Sequence, residues 1–242
     1  MTPPFVLVHG FMGGQAQWHL QRPLHEHREV VEIALPGFGQ RNEAPPIDTI
    51  SGFARSVIAD LDTRGVDRFD LLGHSMGGMV AQEVIRQAPD RVARLILYGT
   101  GAVGALPGRF ETIAESKSRA RDDGLQETAR RIAATWFLAR ERATEYAACA
   151  EIAAQTAPDA FDAGLDAMQS WSGEAHLAAI AASTLVIWGD RDRTYPWTQV
   201  QTLWQGIHDA GLAVVAGAAH AVHLEKPELF NAHIEDFLAR RS

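Results

Sequence analysis

One cysteine, Cys149, is present in 242 residues. An internal disulfide is therefore excluded, and the fold does not depend on an oxidising compartment. A zinc site built on several cysteines is excluded with it. Excess positive charge is also missing: 22 Lys and Arg stand against 30 Asp and Glu, a formal net charge of −8. No basic run interrupts that balance, which argues against nucleic acid or an anionic membrane as a partner. No apolar stretch reaches the ~20 residues that cross a bilayer. The N-terminus, Met1-Thr2-Pro3-Pro4, has no basic region and no long apolar one. No leader is expected, and the cytoplasm is the default location. Metal-ligand spacings such as H-E-x-x-H do not occur, so neither metal nor cofactor is expected.

Apolar content is ample, at 46% of residues. It falls in short runs: Phe5–Val8, Val30–Leu35, Phe69–Leu72, Leu95–Tyr98, Leu185–Trp188 and Leu212–Val215. Runs of Val, Ile and Leu without polar alternation are how strands covered on both faces read. Helical patterns lie between them. Ile50–Arg64 places Phe53, Val57, Ile58 and Leu61 at helical spacing, with Gly65 as a stop. Met79–Gln87, Val200–Ile207 and Pro227–Ala239 complete the set. Repeated β-α units predict an α/β fold with a parallel sheet, and ligands in such sheets sit at the carboxyl ends of the strands.

One stretch breaks the alternation. From Gly104 to Ala182 no strand pattern is seen, and Ala, Arg and Glu dominate Leu125–Arg142 and Thr144–Gln155. Residues 104–182 are read as an inserted helical cap. Residues 1–103 and 183–242 form the core.

The most chemical of the strand ends is Gly73-His74-Ser75-Met76-Gly77, a G-x-S-x-G between an apolar run and a helical pattern. Glycines on either side allow a turn too tight for a side chain, and the serine is pushed out at the sheet edge. A serine hydroxyl needs a base, and the base an orienting acid. For this motif they follow in the order Ser, Asp or Glu, His. His220 lies after the last apolar run, with His223 as a rival in the same loop. Asp190 and Asp192 both follow Leu185–Trp188, and position alone leaves both open. Backbone donors for a developing oxyanion are expected at Met76, just after the serine, and at Phe11 in His9-Gly10-Phe11. That glycine-rich loop has no G-x-G-x-x-G or G-K-[ST], so a phosphate site is not expected. His9 and His74 read as supports of their turns.

Together these segments resemble the α/β-hydrolase-fold serine hydrolases along nearly the whole chain. The resemblance rests on Val6-Leu7-Val8-His9-Gly10-Phe11, Leu35-Pro36-Gly37-Phe38-Gly39, Gly73-His74-Ser75-Met76-Gly77-Gly78, Leu185–Asp192 and His220–Pro227. It implies Asp192 as the acid, with Pro196 at the matching proline, and His220 as the histidine. The family's usual glycine before the histidine is Ala219 here. The family's opening hairpin is also missing, so about six parallel strands are expected. Met79-Val80-Ala81-Gln82 and Ala88–Val92 are similar to 3-oxoadipate enol-lactonases and related small esterases. The activity implied is hydrolysis of a carboxylic ester or (enol-)lactone through an acyl-serine. Trp136, Phe137 and Trp171 are read either as lining the substrate site or, from their helical spacing, as the core of the cap. Alternatives are a C–C bond hydrolase or lyase on the same residues, or a ligand-binding receptor with a slow triad. The expected partner is a small-molecule substrate, and the expected assembly a monomer or homodimer.

Overall fold

A computed structural model describes residues 2–106 and 111–240. Six strands, β1 (Phe5–Val8), β2 (Val30–Ile33), β3 (Phe69–His74), β4 (Val92–Tyr98), β5 (Ser183–Gly189) and β6 (Gly211–Val215), form one open sheet in the order β2-β1-β3-β4-β5-β6. Every pairing is parallel. The strands alternate between two apolar layers. Val6, Val8, Leu71, Leu95 and Leu97 belong to one, and Phe5, Leu7, Leu72, Ile96 and Tyr98 to the other. Both faces being covered explains the uninterrupted apolar runs.

Helices α1 (Ile50–Thr63) and α2 (Met76–Gln87) bury Phe53, Val57, Met79, Val80 and Val84 in the first layer. Thr49 caps α1 by accepting from the Gly52 amide at 3.1 Å. Between β4 and β5 the regular elements among the described residues are helical: α3 (Ile113–Asp122), α4 (Leu125–Thr135), α5 (Tyr146–Ala154) and α6 (Pro158–Gln169), with short 3₁₀ turns. The ends of this insertion meet. Val103 and Ser172 form an antiparallel bridge, flanked by Gly104 N–H to Trp171 O at 3.1 Å and Gly173 N–H to Ala102 O at 2.8 Å. The first-layer cover continues with α7 (Trp197–Gly206), which buries Val200 and Leu203. The second layer is closed by α9 (Pro227–Ala239), which follows the short α8 (Val222–Glu225) and buries Phe230, Ile234 and Phe237.

Three elements depart from the sequence reading. A 3₁₀ run, Gln15–Glu26, carries Trp18 and Leu24 into the second layer. Helix α2 starts at Met76 rather than Met79, because the turn at Ser75 hands over to it directly. Helix α4 stops at Thr135, where the Trp136 amide turns back to Ala133 O and Ala134 O. Only a 3₁₀ turn, Arg140–Arg142, follows in the stretch to Arg142.

Candidate functional site

Ser75 has φ 56° and ψ −122°. A left-handed φ is unfavourable for a residue with a Cβ, and strain of order 1–3 kcal/mol persists only when the surroundings enforce it. They do so here. The Ser75 amide bonds to Tyr98 O at 3.0 Å, and its carbonyl accepts from Thr100 Oγ1 at 2.7 Å. Gly77 lies so close to β1 that a Cβ there would sit 2.4 Å from Val8 O. On the other side, a Cβ on Gly10 would sit 2.9 Å from Ser75 Cβ. The loop after β1 is therefore pressed against the serine.

Ser75 Oγ has no hydrogen-bond partner among the described residues, and Ser75 lines a cavity of about 40 Å³. The amides of Phe11 and Met76, the two expected oxyanion donors, are likewise unbonded among the described residues. Met76 opens α2, so its amide is one of the helix's orphan donors and carries the positive end of the helix dipole.

Asp192 and His220 meet. His220 Nδ1 is 2.9 Å from Asp192 Oδ2, with the side chains 2% and 0% exposed. The other oxygen, Oδ1, accepts from the amides of Thr194 at 2.7 Å and Tyr195 at 3.2 Å. This fixes the carboxylate and makes Nδ1 of His220 the protonated nitrogen, leaving Nε2 as the basic one. The Tyr195 ring stacks on His220 at 5.7 Å.

The rivals fall elsewhere. Asp190 Oδ1 accepts from the Gly217 amide at 2.7 Å, and Oδ2 pairs with Arg191. It ties the β5 loop to the β6 loop. His223 is buried against Trp18 at 4.8 Å, with Nδ1 3.0 Å from Tyr98 Oη. Burial pulls its pKa down to about 3. His9 accepts from Leu35 N–H at Nε2, 3.0 Å, and so donates from Nδ1 to Gly10 O at 2.8 Å. Burial lowers its pKa to about 4. His74 stacks on Tyr98 at 4.4 Å, and burial together with the neighbouring His220 and His223 holds it neutral. Cys149 is buried, which pushes its thiol up to about 12 and leaves it unreactive.

Of the three aromatics expected to line the substrate site, Trp136 lies in the cavity beside Ser75 and the other two lie elsewhere. Trp136 shares the cavity with Phe11, Ser75, Leu106, Ile132, Thr135, Met168 and Tyr195. Phe137 is fully buried and packs with Cys149, Ala221 and Leu224, a cluster that Trp136 also borders. Trp171 instead lines a separate cavity of about 180 Å³ beside α2 and donates Nε1–H to Glu83 Oε1 at 3.2 Å. Thr135 and Met168 line the site with no warning in the sequence. Tyr98 is another omission: at the end of β4 it donates to His220 O at 2.7 Å. Its position at a strand end was the available signal. Among the described residues no group of acidic, histidine or cysteine side chains is arranged to hold a metal ion.

Known proteins carry the same architecture. An enol-lactonase from Burkholderia xenovorans superposes with a TM-score of 0.90 at 25% identity, covering 99% of this chain and 92% of that one. A thermophilic esterase from Thermogutta terrifontis gives 0.88 at 26% identity, covering 98% and 89%. In sequence, the chain is 30% identical to a pimeloyl-[acyl-carrier protein] methyl ester esterase of Aromatoleum aromaticum over 97% of each. It is also 30% identical to a 2-hydroxy-6-oxo-6-phenylhexa-2,4-dienoate hydrolase of Comamonas testosteroni, over 85% of this chain and 75% of the relative. The model of the alpha/beta hydrolase family matches residues 5–233, and with the sheet order, the strained serine and the buried Asp–His pair this places the chain in the alpha/beta hydrolase family.

Proposed function

We propose that the protein is a serine hydrolase that opens a carboxylic ester or (enol-)lactone of a small to medium substrate. The observation that carries this is the 2.9 Å Asp192–His220 contact at the strand edge that also presents Ser75. Nε2 of His220 takes the proton from Ser75 Oγ as the oxygen attacks the carbonyl carbon. The negative charge gathers on the carbonyl oxygen, toward the Phe11 and Met76 amides. Asp192 holds the imidazolium that forms. The proton passes to the leaving alkoxide or enolate, an acyl-serine remains, and water activated by His220 releases the acid.

The insertion serves as a cap. Its cavity of about 40 Å³ is far below the roughly 300–1,000 Å³ of ordinary small-molecule sites. Only a small acyl group fits as the cap stands, and larger ones displace Trp136 or Met168.

Replacing Ser75 with alanine is expected to cut hydrolysis of short p-nitrophenyl esters by at least ~10³-fold with the circular dichroism unchanged. Retained turnover would overturn the assignment. The second reading, hydrolysis of a C–C bond, is favoured by the Comamonas relative. Turnover of vinylogous diketones without turnover of esters would select it.

A further inference from the structure

Glu225 joins two parts of the molecule that are distant in sequence. Its Oε1 accepts from the Leu138 amide at 2.6 Å, in the cap, and its Oε2 from the Ala219 amide at 2.6 Å, just before His220. A third bond runs alongside: Ala221 N–H donates to Trp136 O at 2.9 Å. The peptides on both sides of His220 are thus anchored to cap residues 136–138, directly or through one carboxylate. The His220 carbonyl is held from below by Tyr98 Oη. Trp136, whose carbonyl makes the third bond, also lines the Ser75 cavity.

Charge-assisted bonds of this length are among the stronger ones, and a carboxylate has acceptors for two amides pointing the same way. An amide side chain does not: one of its ends is a donor, and it would face another N–H. The same span cannot be kept by aspartate, which is one methylene shorter.

We infer that Glu225 is a positioning residue that moves the cap segment 136–138 and the His220 loop as one unit, so that an acyl group displacing Trp136 also displaces His220. This rests on the proposed roles of Ser75, Asp192 and His220. It places acyl-chain selectivity in kcat, through the alignment of the base, rather than in binding alone. A displacement of about 1 Å at a reacting group costs up to ~10²-fold.

The test is Glu225→Gln, assayed with p-nitrophenyl esters from acetate to octanoate, with hydrogen exchange read at Leu138 and at Ala219–Ala221. The expected result is a fall in kcat of about tenfold for the best acyl length, KM within about twofold, and a flatter dependence on chain length. Exchange should rise together in both segments. An equal fall at every chain length, an unchanged kcat, or exchange rising in one segment alone would overturn the inference. If Glu225→Gln does not fold, the wild-type enzyme is compared before and after labelling with fluorophosphonates of short and long chain. Protection of the two segments should then change in step with chain length, and independent changes would overturn it. Failure of the serine-hydrolase reading is separate: it would appear as no labelling of Ser75 and no ester turnover by wild type, whatever the exchange pattern.

Discussion

The carboxyl edge of the sheet and the insertion above it are built by opposite rules. At the edge, Ser75, Asp192 and His220 stand on strand ends whose side chains are almost wholly buried, and short hydrogen bonds hold the carbonyls of Ser75 and His220 and the carboxylate of Asp192. The insertion packs small residues, Ala129, Ala133, Ala134, Ala150 and Ala153, among large ones such as Ile132, Phe161 and Leu165. Its polar ties are mostly its own, such as Arg131 to Glu111 at 2.8 Å and Lys117 to Asp166 at 2.7 Å. The edge is tightly held around Ser75 and the Asp192–His220 pair. The insertion meets that edge through the Glu225 and Trp136 bonds beside His220.

The sharpest break in that comparison concerns the acid. Asp192→Asn is expected to lower kcat by about 10³- to 10⁴-fold, since an amide can impose the wrong tautomer on His220. Asp190→Asn, which keeps an acceptor for the Gly217 amide, should leave kcat within about threefold. Steady-state kinetics on one ester decides between them, and equal losses would mean that the loop as a whole, not one carboxylate, is what matters.

Next in size is a contrast within the turn after α4. Phe137→Ala empties a fully buried position and is expected to cost about 3–5 kcal/mol in urea unfolding. Trp136→Ala should cost less and raise kcat/KM for longer acyl chains relative to acetate. A Phe137 variant that changed chain-length preference without loss of stability would blur the division between cap core and site lining.

The last contrast concerns pH. His9 and His223 have folded pKa values of about 4 and about 3, below the unfolded value near 6.5. The unfolded chain therefore binds protons that the folded one refuses. The stability involved is complete above pH ~6.5 and is lost as pH falls toward the folded values, at about 1.4 kcal/mol per pH unit for each histidine. Urea midpoints between pH 7.5 and 5 check the sign. Residues 104–171 of the insertion contain no histidine. Local opening of the insertion, followed by hydrogen exchange, should therefore depend on pH much less than global unfolding does.

Most of the edge could be read from the sequence, and the reason is local. Phe69–Leu72 and Leu185–Trp188 are apolar because both sheet faces are covered. G-x-S-x-G is constrained because a Cβ on Gly77 would meet β1. The choice between Asp190 and Asp192 was not local. Each ends in an amide-bound carboxylate, and only the fold shows which also reaches His220. The aromatics of the insertion were less legible still. Trp136 reaches the Ser75 cavity while its neighbour Phe137 is fully buried, at a turn which no glycine or proline announces.

The two-rung clasp at Val103 and Ser172 has a consequence for how such enzymes diversify. Because Gly104 and Trp171 are already joined, the chain between them is a closed loop whose length is nearly free. Each doubling of a flexible loop costs only about 0.6 kcal/mol. Helices can be added, removed or exchanged above the clasp while the sheet below keeps its register. The natural cut points for grafting a new specificity onto this scaffold are residues 104 and 171, and a graft has also to restore the Leu138 amide to Glu225, the Trp136 carbonyl to Ala221 and the packing of Phe161 on Phe11.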